Sequence, residues 1–128
     1  MREIKFRAYH KTLNTVLDVL LIDWLNELVD LEGGLIEQEF KDVEMLQYTG
    51  RKDKNGVEMY NGDIVLNSEY KQETKGVIVF VRGGFRVALK IKQFKFNLPF
   101  SSFEENEASL QVLGNIYENP ELLESESE

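Results

Sequence analysis

The chain has 128 residues, 42% of them hydrophobic and 30% charged, with no Cys, one His, two Pro and a formal net charge of −8. That length holds one domain, or two very small ones, around a real core, and the composition is globular rather than disordered, collagenous or fibrous. It excludes disulfides, thiol nucleophiles, Cys/His zinc sites and any Ser/His or Cys/His pairing not built on His10, and the acidic balance argues against a dedicated duplex-DNA binder.

No run approaches the roughly 18 apolar residues of a membrane-spanning helix, and the opening MREIKFRAYHK lacks the apolar stretch of a signal peptide. The expectation is a soluble, cytoplasmic protein with no membrane partner.

In chain order, Ile4, Phe6 and Ala8 alternate with Lys5, Arg7 and Tyr9, which is the period of a half-buried strand. Residues 13 to 32 admit two readings. Leu13, Val16, Leu17, Leu20, Leu21, Trp24, Leu25 and Leu28 fit a helical stripe, and periodicity alone prefers it. The same stretch also reads as two strands, Val16 to Asp23 and Leu28 to Glu32, turning through Trp24-Leu25-Asn26-Glu27.

From Val43 onward the signals are β. Asp53-Lys54-Asn55-Gly56 and Tyr60-Asn61-Gly62-Asp63 each carry an Asn-Gly pair, and both residues tolerate the positive φ of tight turns. Ile64 to Leu66, Gly76 to Val81, Phe85 to Ile91 and Leu110 to Tyr117 follow as strands, with a hairpin at Arg82-Gly83-Gly84. Phe85, Val87, Leu89 and Ile91 share one face of their strand, and Arg86, Ala88, Lys90 and Lys92 share the other. A parity shift to Phe94 and Phe96 calls for a bulge or turn near Lys92-Gln93. Short strands at this spacing mark a small barrel or sandwich. The segment after Pro120 becomes wholly polar and acidic at Glu124 and is expected to fray. The expected core comprises Ile4, Phe6, Ile64, Val65, Val79, Val87, Leu89, Val112 and Ile116.

Charge is unevenly spread. Lys75 to Phe103 holds six bases and no acid, whereas Glu104 to Glu128 holds eight acids and no base. Arg82, Arg86, Lys90, Lys92 and Lys95 therefore form the candidate binding strip, matched either by the protein's own carboxylates or by an anionic partner surface. No phosphate loop, dinucleotide fingerprint or nucleophile elbow occurs. Asp53-Lys54-Asn55-Gly56 is out of register for a calcium loop, and with 23 carboxylates in the chain chance pairs carry no information about glycoside hydrolysis. His10 reads as a partly exposed strand-end residue, and Tyr48, Tyr60 and Tyr117 as core-packing rings. The expectation is no enzyme, no metal and no cofactor.

Three segments together resemble the YopX family, small proteins found mainly in phages and prophages of Gram-positive bacteria. They are the opening Met1-Arg-Glu-Ile-Lys-Phe-Arg-Ala8; the block Asp42-Val-Glu-Met-Leu-Gln-Tyr-Thr-Gly50 with Lys52-Asp-Lys-Asn-Gly56 and Tyr60-Asn-Gly-Asp-Ile-Val65; and the closing Val112-Leu-Gly-Asn-Ile-Tyr-Glu-Asn-Pro-Glu-Leu-Leu123. The chain departs from the family at Tyr9-His10, where Trp-Asp is usual, and at Arg51, where the family is commonly apolar. The resemblance implies an all-β protein: an N-terminal β segment over 1–44 packing on an SH3-like barrel over 45–120, with an acidic tail over 121–128. It also favours the strand pair over the helix for residues 16 to 32. No catalytic residues come with it. The function expected is a phage or prophage accessory protein of the bacterial cytoplasm, a non-catalytic protein-interaction module binding itself or a host or phage protein. The alternative is nucleic-acid binding through the strip Arg82 to Lys95, with Phe94 or Phe96 stacking on bases.

Overall fold

The computed structural model describes residues 4–68, 73–81, 84–91, 94–99 and 110–124. The chain is all-β, with two antiparallel sheets in a small barrel-like arrangement. Strands β1 (Phe6–His10), β2 (Thr15–Asp23), β3 (Leu28–Leu31), β4 (Leu35–Glu39), β5 (Val43–Lys52) and β6 (Glu58–Tyr60) make the first sheet, ordered β4-β3-β2-β1-β5-β6. Strands β7 (Asp63–Asn67), β8 (Thr74–Val81), β9 (Gly84–Ile91), β10 (Phe94–Pro99) and β11 (Leu110–Asn115) make the second, ordered β10-β9-β8-β7-β11. A single 3₁₀ turn (Phe40–Asp42) and a four-residue helix α1 (Glu121–Glu124) complete the described residues.

Residues 15 to 31 are the strand pair, not the helix. β2 and β3 run antiparallel with Ile22 opposite Val29 and Asp23 opposite Leu28. The turn between them is held by the Asp23 carboxylate, which accepts the Asn26 backbone N–H (3.0 Å) and side-chain N–H (2.9 Å), an Asx-type closure, with Glu27 at φ 57°. At the two Asn-Gly pairs only the glycines have positive φ, Gly56 at 82° and Gly62 at 93°. At Gly56 the backbone N–H closes back on the Asp53 carbonyl at 3.0 Å.

The core of the second sheet follows from register. Ile78 lies opposite Val87, and Gly76 lies opposite both Leu89 and Val65, so these residues share one face. Ile78, Val65, Val87, Leu89 and Leu110 are buried there together with Met59 from β6. Gly76 has no room for a side chain, since a Cβ would meet Leu89 Cδ2 at 2.6 Å and Val87 Cγ1 at 2.8 Å. β5 and β6 hydrogen-bond into the first sheet, yet Met59 of β6 packs in the core of the second, which welds the two. Tyr48, Tyr60, Val16 and Leu46 are buried as a separate cluster, with Tyr9 and Tyr117 packed against it. The tyrosine rings are core, as expected.

Three expected placements are corrected. Ile4 is 76% exposed because β1 begins its ladder with β5 only at Phe6 and with β2 only at Arg7, which leaves Ile4 beyond the paired strand. Val79 is half-buried because it lies opposite Arg86; its neighbour Ile78 takes the inward position. His10 ends its strand but is buried: its Nδ1 accepts the Leu13 N–H (3.1 Å), so Nε2 carries the proton toward Gln38 Oε1 (2.9 Å). Ile64, Val65, Val87 and Leu89 are buried as expected, while Phe6, Val112 and Ile116 are half-buried.

Candidate functional site

The basic strip is only partly visible. Arg82, Lys92 and Gln93 lie outside the described residues, and with them the bulge or turn expected at Lys92-Gln93; Ile91 and Phe94 are ladder partners. Arg86 is half-buried and points one guanidinium N–H at the Asn97 carbonyl (3.4 Å). Lys95 is exposed on β10, directly opposite Lys90 in the ladder. Phe96 is in register with Leu89. The register thus brings Lys90 and Lys95 together and sets Arg86 four ladder positions away, opposite Pro99.

The family-like motifs hold the two sheets together. Asp53 is buried; one carboxylate oxygen accepts the N–H groups of Asn55 (2.8 Å) and Val57 (2.9 Å), and the other accepts that of Val112 (2.8 Å) on β11. Asp63 accepts the Tyr60 N–H at 2.8 Å, and its burial pushes the carboxyl up to about 7. Gly62 donates to the Ile78 carbonyl and accepts from Ile116 N–H, clasping β8 and the chain after β11 in one turn. Asn115 Oδ1 accepts the N–H groups of Tyr117 (3.0 Å) and Glu118 (2.8 Å). Glu118 in turn accepts from Val16 N–H (2.7 Å), Thr15 Oγ1 (3.1 Å) and Asn115 Nδ2 (2.9 Å). Against the upward push of burial, these bonds hold its carboxyl below the ordinary value. Tyr117 stacks on Tyr9 at 5.0 Å. Among the described residues no three His, Cys, Asp or Glu side chains converge as metal ligands, and no helix is long and apolar enough to cross a membrane.

The feature that sequence reasoning missed is on the first sheet. The β1–β2 ladder stops at Arg7 opposite Asp18, and the rest of β2 pairs only with β3, so the start of β1 and the second half of β2 diverge. A groove of about 490 Å³ opens there, walled by Ile4, Phe6, Leu20, Leu21 and Trp24, with Lys5 at one side. The register slips between Val19 and Leu21, which makes Leu20 a bulge residue and leaves both leucines outward. Trp24 is set edge-on between Phe6 (6.2 Å) and Phe40 (5.7 Å) while remaining 64% exposed. Lys5 is engaged within the fold, paired with Glu58 and 5.2 Å from the centre of the Tyr48 ring. Nearby, Arg7 binds Asp18 at 3.1 Å and faces the Tyr60 ring, whose hydroxyl is pushed up to about 12, chiefly by burial and then by the Glu58 charge. The arrangement is an apolar slot beside satisfied charges, suited to binding a side-chain surface.

Comparison with known proteins agrees with the motif reading. A family model described as YopX protein matches residues 5–124. Among solved structures the chain is similar to protein EF1440 from Enterococcus faecalis, with 27% identity and a TM-score of 0.68, over 96% of this chain and 99% of that one. No curated protein matches it.

Proposed function

The chain belongs to the YopX family, and we propose that it is a non-catalytic module that binds another protein, either a second copy or a host or phage protein of the bacterial cytoplasm. The observation that carries this reading is the groove between β1 and β2. Ile4, Leu20, Leu21 and Trp24 in its walls are 76, 68, 54 and 64% exposed, and Leu25, next to Trp24 in the turn, is 90% exposed. That leaves on the order of 600 Å² of apolar side-chain surface in water, the upper end for a single patch on a monomer and most of the roughly 800 Å² a stable interface takes from each partner. Trp24 has the features of an anchor residue: large, pre-oriented by two rings, and still open to a partner. The motif residues support the same reading from the other side, because Asp53, Asn115 and Glu118 spend their acceptors on backbone and neighbouring side chains.

The test is capture from lysate of a bacterial host with the full chain as bait, beside a variant carrying Leu20→Ser and Leu21→Ser. Both leucines are exposed, so the variant should fold. A protein retained by the native chain and lost by the variant supports the reading. Equal retention by both, or tight, salt-dependent nucleic-acid binding in gel shifts that Arg86→Ser with Lys90→Ser abolishes, overturns it.

A further inference from the structure

We propose that the occupant of the β1–β2 groove is a cationic amphipathic segment of another protein, with Leu- or Phe-sized side chains on one face and Lys or Arg beside them. This rests on the interaction-module reading and adds the chemistry of what is bound. Residues 12 to 40, which supply the β2–β4 meander, hold seven carboxylates and not one Lys or Arg. They are interleaved with the apolar wall rather than segregated from it. Asp30 lies directly opposite Leu21 across the β2–β3 ladder, so the two share a face, and Asp23 immediately precedes Trp24. Asp23 is held ionised, since hydrogen bonds from Asn26 lower its carboxyl below the ordinary value. Of these seven, Asp18 has Arg7 at 3.1 Å and Glu39 has Lys41 at 3.7 Å, both away from the Leu21–Trp24 wall where Asp23 and Asp30 stand.

An apolar slot whose β2–β3 wall carries carboxylates, and whose Lys5 is already paired with Glu58, selects its partner. Two copies packed groove to groove would press one set of carboxylates against the other, and an anionic membrane surface would be repelled for the same reason. A basic amphipathic segment meets both requirements: its apolar face takes Leu20, Leu21 and Trp24 out of water, and its cations face Asp23 and Asp30.

Trp24 is the only tryptophan in the chain and stands in the groove wall, so its emission reports occupancy directly. The full chain is titrated with a synthetic amphipathic helical peptide of Leu and Lys, and with its Leu and Glu counterpart. The expected result is a saturable blue shift with the Leu/Lys peptide, roughly tenfold weaker at high than at low salt, and no shift with the Leu/Glu peptide. Leu20→Ser with Leu21→Ser should weaken binding at least about tenfold at an unchanged circular dichroism spectrum and thermal midpoint. Equal binding of both peptides, or salt-independent binding, overturns the cationic class and leaves the module reading standing. So does silence toward both peptides while lysate capture still depends on the two leucines. A blue shift driven by protein concentration alone, lost with the leucine changes, makes the occupant a second copy and overturns the proposal. If neither peptides nor lysate capture distinguish native chain from variant, the inference and the module reading fail together.

Discussion

Along β7 to β9, Ile64, Val65, Ile78, Val87 and Leu89 are at most 4% exposed, whereas along β2 and its turn Leu20, Leu21, Trp24 and Leu25 are all more than half exposed. The residue types are the same; their pairing differs. β7 has β8 on one side and β11 on the other. Its alternate faces are both covered, so consecutive residues Asp63, Ile64 and Val65 are all buried. The second half of β2 has β3 alone, and the bulge at Leu20 turns two leucines outward where alternation would hide one. A chain that can bury apolar side chains this well on one sheet has no need to expose them on the other for want of a core. The exposed set is the surface on which the proposed interaction rests.

The sharpest way to break that comparison is to truncate one residue on each side. Ile78→Ala removes a fully buried side chain that packs with Val87 and Met59 and should cost about 2–5 kcal/mol. Leu20→Ala removes one that is 68% exposed and should change stability by no more than about 0.5 kcal/mol. Urea denaturation of the two variants measures both. Comparable losses would mean that the groove is structural.

Asp63, at the turn between the sheets, provides the next test through pH. Its folded carboxyl is raised to about 7 by burial, well above its unfolded value near 4. The native state therefore holds the proton more tightly than the unfolded chain. The stabilisation from this group is complete below about pH 4 and is lost as pH rises through about 7, a change on the order of 2–4 kcal/mol. Stability from this residue should decline between about pH 4 and 7, and Asp63→Asn should flatten the decline. A variant that declines as steeply as the native chain refutes the assignment.

Glu118 has the opposite sign and a smaller effect. Its carboxyl is lowered, so its contribution is present above the unfolded value and is lost as pH falls through the folded one. Glu118→Ala removes the acceptor for Val16 N–H, Thr15 and Asn115, but the residue faces water and the loss should be about 1 kcal/mol. A thermal midpoint unchanged by the substitution would show that the packing of Tyr117 against Tyr9 and the Val16–Leu46–Tyr48–Tyr60 cluster suffices to join the closing segment to the first sheet.

Most of the fold was legible because turns and alternation are local. Asn55-Gly56 and Asn61-Gly62 mark real turns, and the inward set Val87 and Leu89 follows from period two. Ile78 and Val79 were exchanged because adjacent β-branched residues give no parity; only the partner Val87, opposite Ile78, decides it. The helical stripe over 13 to 28 misled for an instructive reason. Leu20, Leu21, Trp24 and Leu25, which read as a buried helix face, are the exposed residues of the groove and its turn, so the three-to-four spacing arises from a bulged strand with an apolar outer surface. Nothing local announces a groove formed by two strands that stop pairing. The available signal was compositional: apolar pairs at Leu20-Leu21 and Trp24-Leu25 in a stretch with carboxylates and no base.

The smallest effect concerns the basic strip on the second sheet. Lys90 and Lys95 occupy directly opposed positions on β9 and β10, and like charges placed opposite each other on one face repel. β10 is also an edge of its sheet, where lysines discourage pairing with another chain. If the strip serves mainly to protect that edge, Lys95→Glu should stabilise the monomer by about 0.2–1 kcal/mol through an opposite-charge pair. The gain should fade as salt screens it, and the substitution should leave Trp24 emission and peptide binding at the groove unchanged. If the strip is the binding surface, the same substitution should abolish partner capture while the groove variant Leu20→Ser with Leu21→Ser retains it. Measuring both variants in parallel assigns binding to one sheet or the other, because each substitution lies on an exposed side chain and neither disturbs the core that the other sheet depends on.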